Sequence, residues 1–262
     1  MCRGVFLSRY LEAMDIGLAI FAGLLIGAVL GFVGAGGSMV TVPILIYIFD
    51  MSPLQATTAS LVVVFSAALS GVIPKLRKNE VLVRESFVIW SIGLITNLGG
   101  AYILPKIPDE IVLSGFALVL ISAGTSMLLK PVENNPARHI PPIALILISL
   151  LIGAMTGLFG IGGGFLAIPI LVLFYNIAPA KAAGTSLFII TINTITGFFA
   201  HVRHWGEVDW QIPIIMALIA VVVSRLASHR SSRVSADTLK RAFAFLVYAI
   251  AIFTLAQTWL LK

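Results

Sequence analysis

Glycines and hydroxyls, rather than carboxylates or histidines, are the residues of this chain whose spacing could do chemistry. Gly31, Gly34, Gly36, Gly37 and Ser38 crowd into one apolar run, and Pro43 follows. The pattern returns 126 positions later as Gly157, Gly160, Gly162, Gly163 and Gly164, followed by Pro169. Consecutive glycines with a proline shortly after them break a helix. The new N-terminus then holds backbone N–H groups without intrahelical partners, and these bind an anion with help from the helix dipole and no formal charge. A helix rich in hydroxyls comes next in each copy, with Thr57, Thr58 and Ser60 after Pro53, and Thr185, Ser186 and Asn193 after Pro179. The expected substrate site is therefore Gly34, Gly36, Gly37, Ser38, Thr57, Thr58, Ser60, Gly160, Gly162, Gly163, Gly164, Thr185, Ser186 and Asn193. No catalytic residue, metal or cofactor is expected.

Other chemistries lose ground on the same residues. No Asp or Glu lies inside the apolar runs, since Asp50, Glu80, Glu85, Asp109, Glu110, Glu133, Glu207, Asp209 and Asp237 all fall at ends or in loops. A proton relay or a cation pathway built on intramembrane carboxylates would show one. Gly34 to Ser38 is not GxGxxG and no Gly-Lys-Ser/Thr occurs, which argues against nucleotide binding. An intramembrane enzyme with Ser38 as nucleophile and His201 or His204 as base is the competing class. These histidines fall in a loop, however, and Gly164 replaces the serine in the copy. A scaffold without substrate is the third reading, in which the glycines serve only close helix packing. Gly27 and Gly153, in the regular part of their helices, are expected to accept Ala with anion affinity intact, though tight packing could still cost stability. Lys181 reads as an interfacial anchor, and Thr96, Asn97, Ser122, Thr125 and Ser126 as hydrogen bonders between packed helices.

The elements that must position these residues are membrane helices. With 59% apolar and 11% charged residues and a mean hydropathy of +1.07, the chain is an all-α polytopic membrane protein. Eight long spans are expected, roughly at residues 16–34, 54–73, 86–104, 110–129, 142–159, 180–200, 210–226 and 238–261. The first is a retained span and not a cleaved leader. Residues 1–15 form an interfacial lead-in, and the single Cys2 supports no disulfide framework. Two shorter segments follow the breaks; Ser38 to Phe49 is too short to span as a plain helix, although an extended start up to Pro43 followed by helix could cover about 30 Å. Ser52, Pro53 and Gln55 form the signature of a capped helix start. The net charge of +6 is explained by basic loops between spans and gives no reason to expect nucleic acid.

From Leu24 to Gly71, 17 of 48 positions are identical at the 126-residue offset. This defines two homologous halves, residues 1–134 and 135–262, each a transmembrane repeat. If the short segments re-enter and leave on one side, the halves are parallel and the 17 Lys and Arg divide 10 to 7. If they cross, the halves are inverted and the division sharpens to 12 to 5, with loops 74–85 and 227–237 on the basic side and both termini opposite. The charge count favours inverted halves.

The paired Gly-x-x-Gly-x-Gly-Gly segments, each followed by Pro43 or Pro169 and then by Pro53 or Pro179 opening a hydroxyl-bearing helix, resemble the sulfite exporter TauE/SafE family of bacterial membrane transporters. The resemblance extends over essentially the whole chain. It implies secondary transport, as export across the bacterial inner membrane, of a small anion such as sulfite or an organosulfonate. Implied partners are that anion and the lipid bilayer, with no nucleic acid and the oligomeric state open. Ser38 against Gly164, and Gln55 against Lys181, would make any site asymmetric.

Overall fold

The computed structural model describes residues 2–35, 37–128, 142–164, 167, 168, 171, 179–230 and 236–259. Among them every regular element is helical: α1 (Cys2–Val33), α2 (Gly37–Tyr47), α3 (Pro53–Arg77), α4 (Val83–Ile103), α5 (Asp109–Leu128), α6 (Pro142–Phe159), α7 (Pro179–Ala200), α8 (Gln211–Arg230) and α9 (Ala236–Trp259), with 3₁₀ turns after α4 and α7. Among the described residues, five stretches are long and apolar enough to cross a bilayer: Ala13–Val33, Pro53–Arg77, Val83–Lys106, Lys181–Ala200 and Gln211–Arg230. Ile143–Phe159 and Ala244–Trp259 are shorter apolar helices. Large apolar side chains such as Ile95, Leu118, Ile143, Leu218 and Phe245 lie outward, as they do where the solvent is lipid. The chain is a multi-pass membrane protein.

The start of α3 is built as the sequence requires. The Ser52 hydroxyl accepts from the Gln55 N–H at 3.3 Å, and the Gln55 side-chain oxygen accepts from the Ser52 N–H at 3.0 Å. Pro53 fills the first helical position, where no N–H is needed. The segment after the first break takes the plain helical form of the two arrangements left open. It is helical from Gly37 onward, with Pro43 inside α2 and no extended lead. A proline here removes only one backbone donor, and the Thr41 hydroxyl, bonded to the Gly37 carbonyl at 2.9 Å, ties down the preceding turn. In an apolar setting helix satisfies more backbone than an extended strand without neighbours.

Helix directions follow from the contacts. Gln55, at the start of α3, donates to the Glu207 carbonyl just after α7, at 2.7 Å, while the α3 C-terminus at Lys75 and Glu80 abuts Gly184 near the start of α7. The two helices are antiparallel. α5 and α9 are antiparallel as well, with Thr125 bonded to Tyr248 at 2.6 Å and Trp259 to Ser114 at 3.1 Å. α1 lies parallel to α8, and α4 parallel to α6.

The last two pairings rest on glycine. Gly23, Gly27 and Gly31 of α1, spaced four apart, face Met216 and Ile219, then Ala220 and Val223, then Ser224 and Ala227 of α8. A Cβ on Gly27 would sit 2.8 Å from the Ala220 carbonyl oxygen. In α6, a Cβ on Gly153 would overlap the Gly93 carbonyl oxygen of α4 and approach the Thr96 hydroxyl to 2.5 Å. Ala at Gly27 or Gly153 therefore meets the stability cost that tight packing imposes. Helix propensity favours Ala, but at these positions two backbones meet, and the small-xxx-small packing outweighs about 1 kcal/mol of propensity. Thr96 reinforces the contact by donating to the Leu150 carbonyl at 2.6 Å.

Candidate substrate site

The second break is where the structure gathers the residues singled out by sequence. α6 ends in a left-handed cap at Gly160 (φ +64°), whose N–H bonds the Thr156 carbonyl at 2.9 Å. Gly162 and Gly163 also hold positive φ, at +72° and +67°, a conformation that costs any residue with a Cβ. The stretch threads between α3 and α7. Gly160 lies against Thr57 and Ser60, Gly162 against Ile190 and Thr194, and Gly164 against Ser186 and Ile190. Ser60 donates to Thr57 O at 2.8 Å and to Gly160 O at 3.4 Å, while Ser186 donates to Gly164 O at 2.8 Å. One hydroxyl from each of two long helices thus pins each end of the break through its carbonyl.

The N–H groups of Ile161, Gly162 and Gly163 bond to no described residue, although Ile161 is fully buried. Buried N–H groups are nearly always paired, because leaving one dry costs about as much as a lost hydrogen bond. Backbone amides in a glycine-rich stretch are donors of the kind an oxyanion can use. Asn193 of α7 and Asn97 of α4 are both fully buried. Asn97 donates to the Asn193 carbonyl at 3.0 Å and to Thr196 at 3.1 Å, and Asn193 donates to Ile189 O at 3.1 Å. Both side-chain oxygens remain without a hydrogen-bond partner, so the same region also offers acceptors.

The first break is similar in outline. Gly34 caps α1 with φ +75° and its N–H on Leu30 O at 2.9 Å, and it lies against Ala183 of α7. Gly37 begins α2 with ordinary φ, packed on Ile26 and Leu30 of its own hairpin. Gly36 and the Ser38 side chain lie outside the described residues. Two expected site hydroxyls are engaged elsewhere. Thr58 bonds back to Leu54 O at 2.8 Å, and Thr185 bonds Lys181 O at 2.7 Å while accepting from Leu82 N at 3.0 Å, which fastens α7 to the start of α4.

Asn97 entered the sequence reading as a packing residue. It does bridge α4 to α7, but with an acceptor to spare; the usable signal was an amide in the middle of an apolar run. Two further buried polar groups close the ends of the α3–α7 pair. Lys75 forms an ion pair with Glu80 at 3.0 Å, brought together by a turn in which Asn79 takes φ +55° and the Glu80 N–H bonds Lys75 O at 2.9 Å. His201, at the matching position after α7, bonds Gly197 O through Nδ1 at 2.8 Å and leaves Nε2 buried and unpartnered. Burial holds the His201 imidazole below the ordinary histidine range, against a smaller upward pull from the Gly197 carbonyl. No group of His, Cys, Asp or Glu among the described residues could hold a metal ion.

Apolar helices long enough to cross a bilayer make this a multi-pass membrane protein, and the proteins it is similar to are named as transporters and not as enzymes. The family model described as "Sulfite exporter TauE/SafE" matches residues 19–254, and the chain belongs to that family. It is 28% identical over 250 residues to a "Probable membrane transporter protein" of Xylella fastidiosa (strain 9a5c), covering 92% of this chain and 95% of the relative. A "Probable membrane transporter protein" of Methanocaldococcus jannaschii is 24% identical over 253 residues, covering 91% and 94%. The "Probable membrane transporter protein YunE" of Bacillus subtilis (strain 168) is 26% identical over 223 residues, covering 75% and 81%. No solved structure matches.

Proposed function

We propose that the protein is a secondary transporter that exports a small anion, sulfur-containing in the manner of sulfite or an organosulfonate, across the bacterial inner membrane. The reading rests on one observation above the others: the buried N–H groups of Ile161, Gly162 and Gly163, which bond to no described residue. They would cradle the oxyanion, with Ser60 and Ser186 fixing the backbone that presents them. Gly34, Gly37 and Ser38 would supply the counterpart at the first break. Asn97 and Asn193 would accept from a protonated or hydroxyl-bearing substrate, which suits a weak acid such as hydrogen sulfite. The printed family description supports the choice of sulfite.

The same proposal takes residues 1–134 and 135–262 as inverted repeats crossing the membrane in opposite senses. Its support is the antiparallel packing of α3 on α7 and of α5 on α9, pairs that occupy equivalent places at the 126-residue offset. The 12 to 5 division of basic residues would then put the α3 C-terminus in the cytoplasm. In liposomes, the purified protein should release preloaded sulfite or a small sulfonate faster than carboxylates of similar size. Flux of cations alone, or none across sulfite, thiosulfate and sulfonates, overturns the assignment.

A further inference from the structure

We propose that the groove between the C-terminal ends of α3 and α8 is a binding site for the phosphate headgroup of an anionic phospholipid. The groove encloses about 350 Å³ and is lined by Ile73, Pro74, Arg77 and Lys78 of the α3 end, and by Arg225, Leu226, His229 and Arg230 of α8. Four of these residues, Arg77, Lys78, Arg225 and Arg230, are basic and solvent-facing. Neither ion pair formed among the described residues involves them. Cations in the last turn of a helix complement its dipole, which accounts for Arg77 and Arg230. It does not account for Arg225, more than a turn earlier, or for the cavity on which the four converge.

Like charges held around one groove repel unless an anion sits among them, and the shape of the groove says which anion. Its walls are apolar at Ile73, Pro74 and Leu226, and it opens onto a stripe of α8 side chains four apart, Leu226, Val222 and Leu218, which are 56%, 58% and 64% exposed. A free oxyanion has no use for that stripe and would have to compete with water for exposed guanidiniums. A phospholipid uses both features, its phosphate on the cations and its acyl chains along Val222 and Leu218. Basic pockets between membrane helices recognise anionic headgroups in this way. The site is independent of the transported substrate.

Native mass spectrometry of the full chain, released from micelles containing equal phosphatidylglycerol and phosphatidylcholine, reads the site directly. Wild type should retain phosphatidylglycerol selectively, and the variant Arg77→Gln/Arg225→Gln should retain ~5-fold less or lower. Arg203→Gln, at the opposite end of the α3–α7 pair, should behave as wild type. Should the double variant fail to fold, the exposed single changes Lys78→Gln and Arg230→Gln each read the same loss. Equal retention of the two lipids, unchanged retention in the variants, or displacement of the lipid by inorganic phosphate overturns the proposal, the last marking a free-oxyanion site.

Discussion

Replacing Gly162 by Ala tests whether the helix break is a site or a packing device. Two costs can be separated at this position. The backbone at φ +72° is left-handed, which costs an L-residue about 1–2 kcal/mol. The new Cβ would also stand 2.9 Å from Ile190 Cγ2 and 3.0 Å from Thr194 Cγ2, both ends of side chains that can move. Relieving the strain rotates the peptides on either side, which carry the Gly162 and Gly163 N–H groups. If those amides hold the anion, affinity should fall by ~5- to 30-fold, the equivalent of about 1–2 kcal/mol. The assay is sulfite binding or efflux from liposomes, normalised to folded protein recovered in detergent. Adding Ile190→Ala creates room for the methyl and should restore the yield of folded protein, but not the affinity, because the backbone strain remains. If Gly162→Ala lowers only the yield, and Ile190→Ala repairs it, the break is a packing element and the proposed site is wrong.

Gly153→Ala should cost far more than Gly162→Ala in folded protein, because the overlapping partner is the Gly93 carbonyl of a packed helix and not a side-chain tip; recovery by size exclusion in detergent measures it. Asn97→Leu removes the donor to Asn193 O and Thr196 and should lower stability by about 1–3 kcal/mol, read as a drop in Tm. His201 gives a pH dependence whose sign follows from its depressed value. The unfolded chain, titrating near 6.5, binds the proton more tightly than the folded one, so stability is present above about 6.5 and falls as pH drops toward the lowered folded value. His201→Gln should flatten the Tm difference between about pH 7.5 and 5.5; an unchanged slope would place the titration elsewhere. Reporters fused in loops 74–85 and 227–237 should both read cytoplasm and one in loop 201–208 the opposite side; a common side for 74–85 and 201–208 would restore parallel halves.

The sequence by itself determined the class of protein and the places where its helices break. Hydropathy needs no tertiary partner to mark a span, and glycine runs, the Ser52–Gln55 cap and Pro53 act through their own backbone. The breaks at Gly34 and Gly160 were legible because left-handed caps demand glycine whatever surrounds them. Only the tertiary structure decided which glycines are intolerant for another reason. Gly27 and Gly153 sit in regular helix, and nothing local distinguishes them from a position that prefers Ala until α8 and α4 are brought against them. The same holds for the hydroxyls. Thr185 and Ser186 are neighbours in sequence, yet the 100° between successive side chains on a helix turns one to α4 and the other to the break. The groove at the ends of α3 and α8 was invisible for a like reason: Arg77 and Arg225 lie 148 positions apart, and their charges had meaning as a loop bias until packing placed them around one cavity.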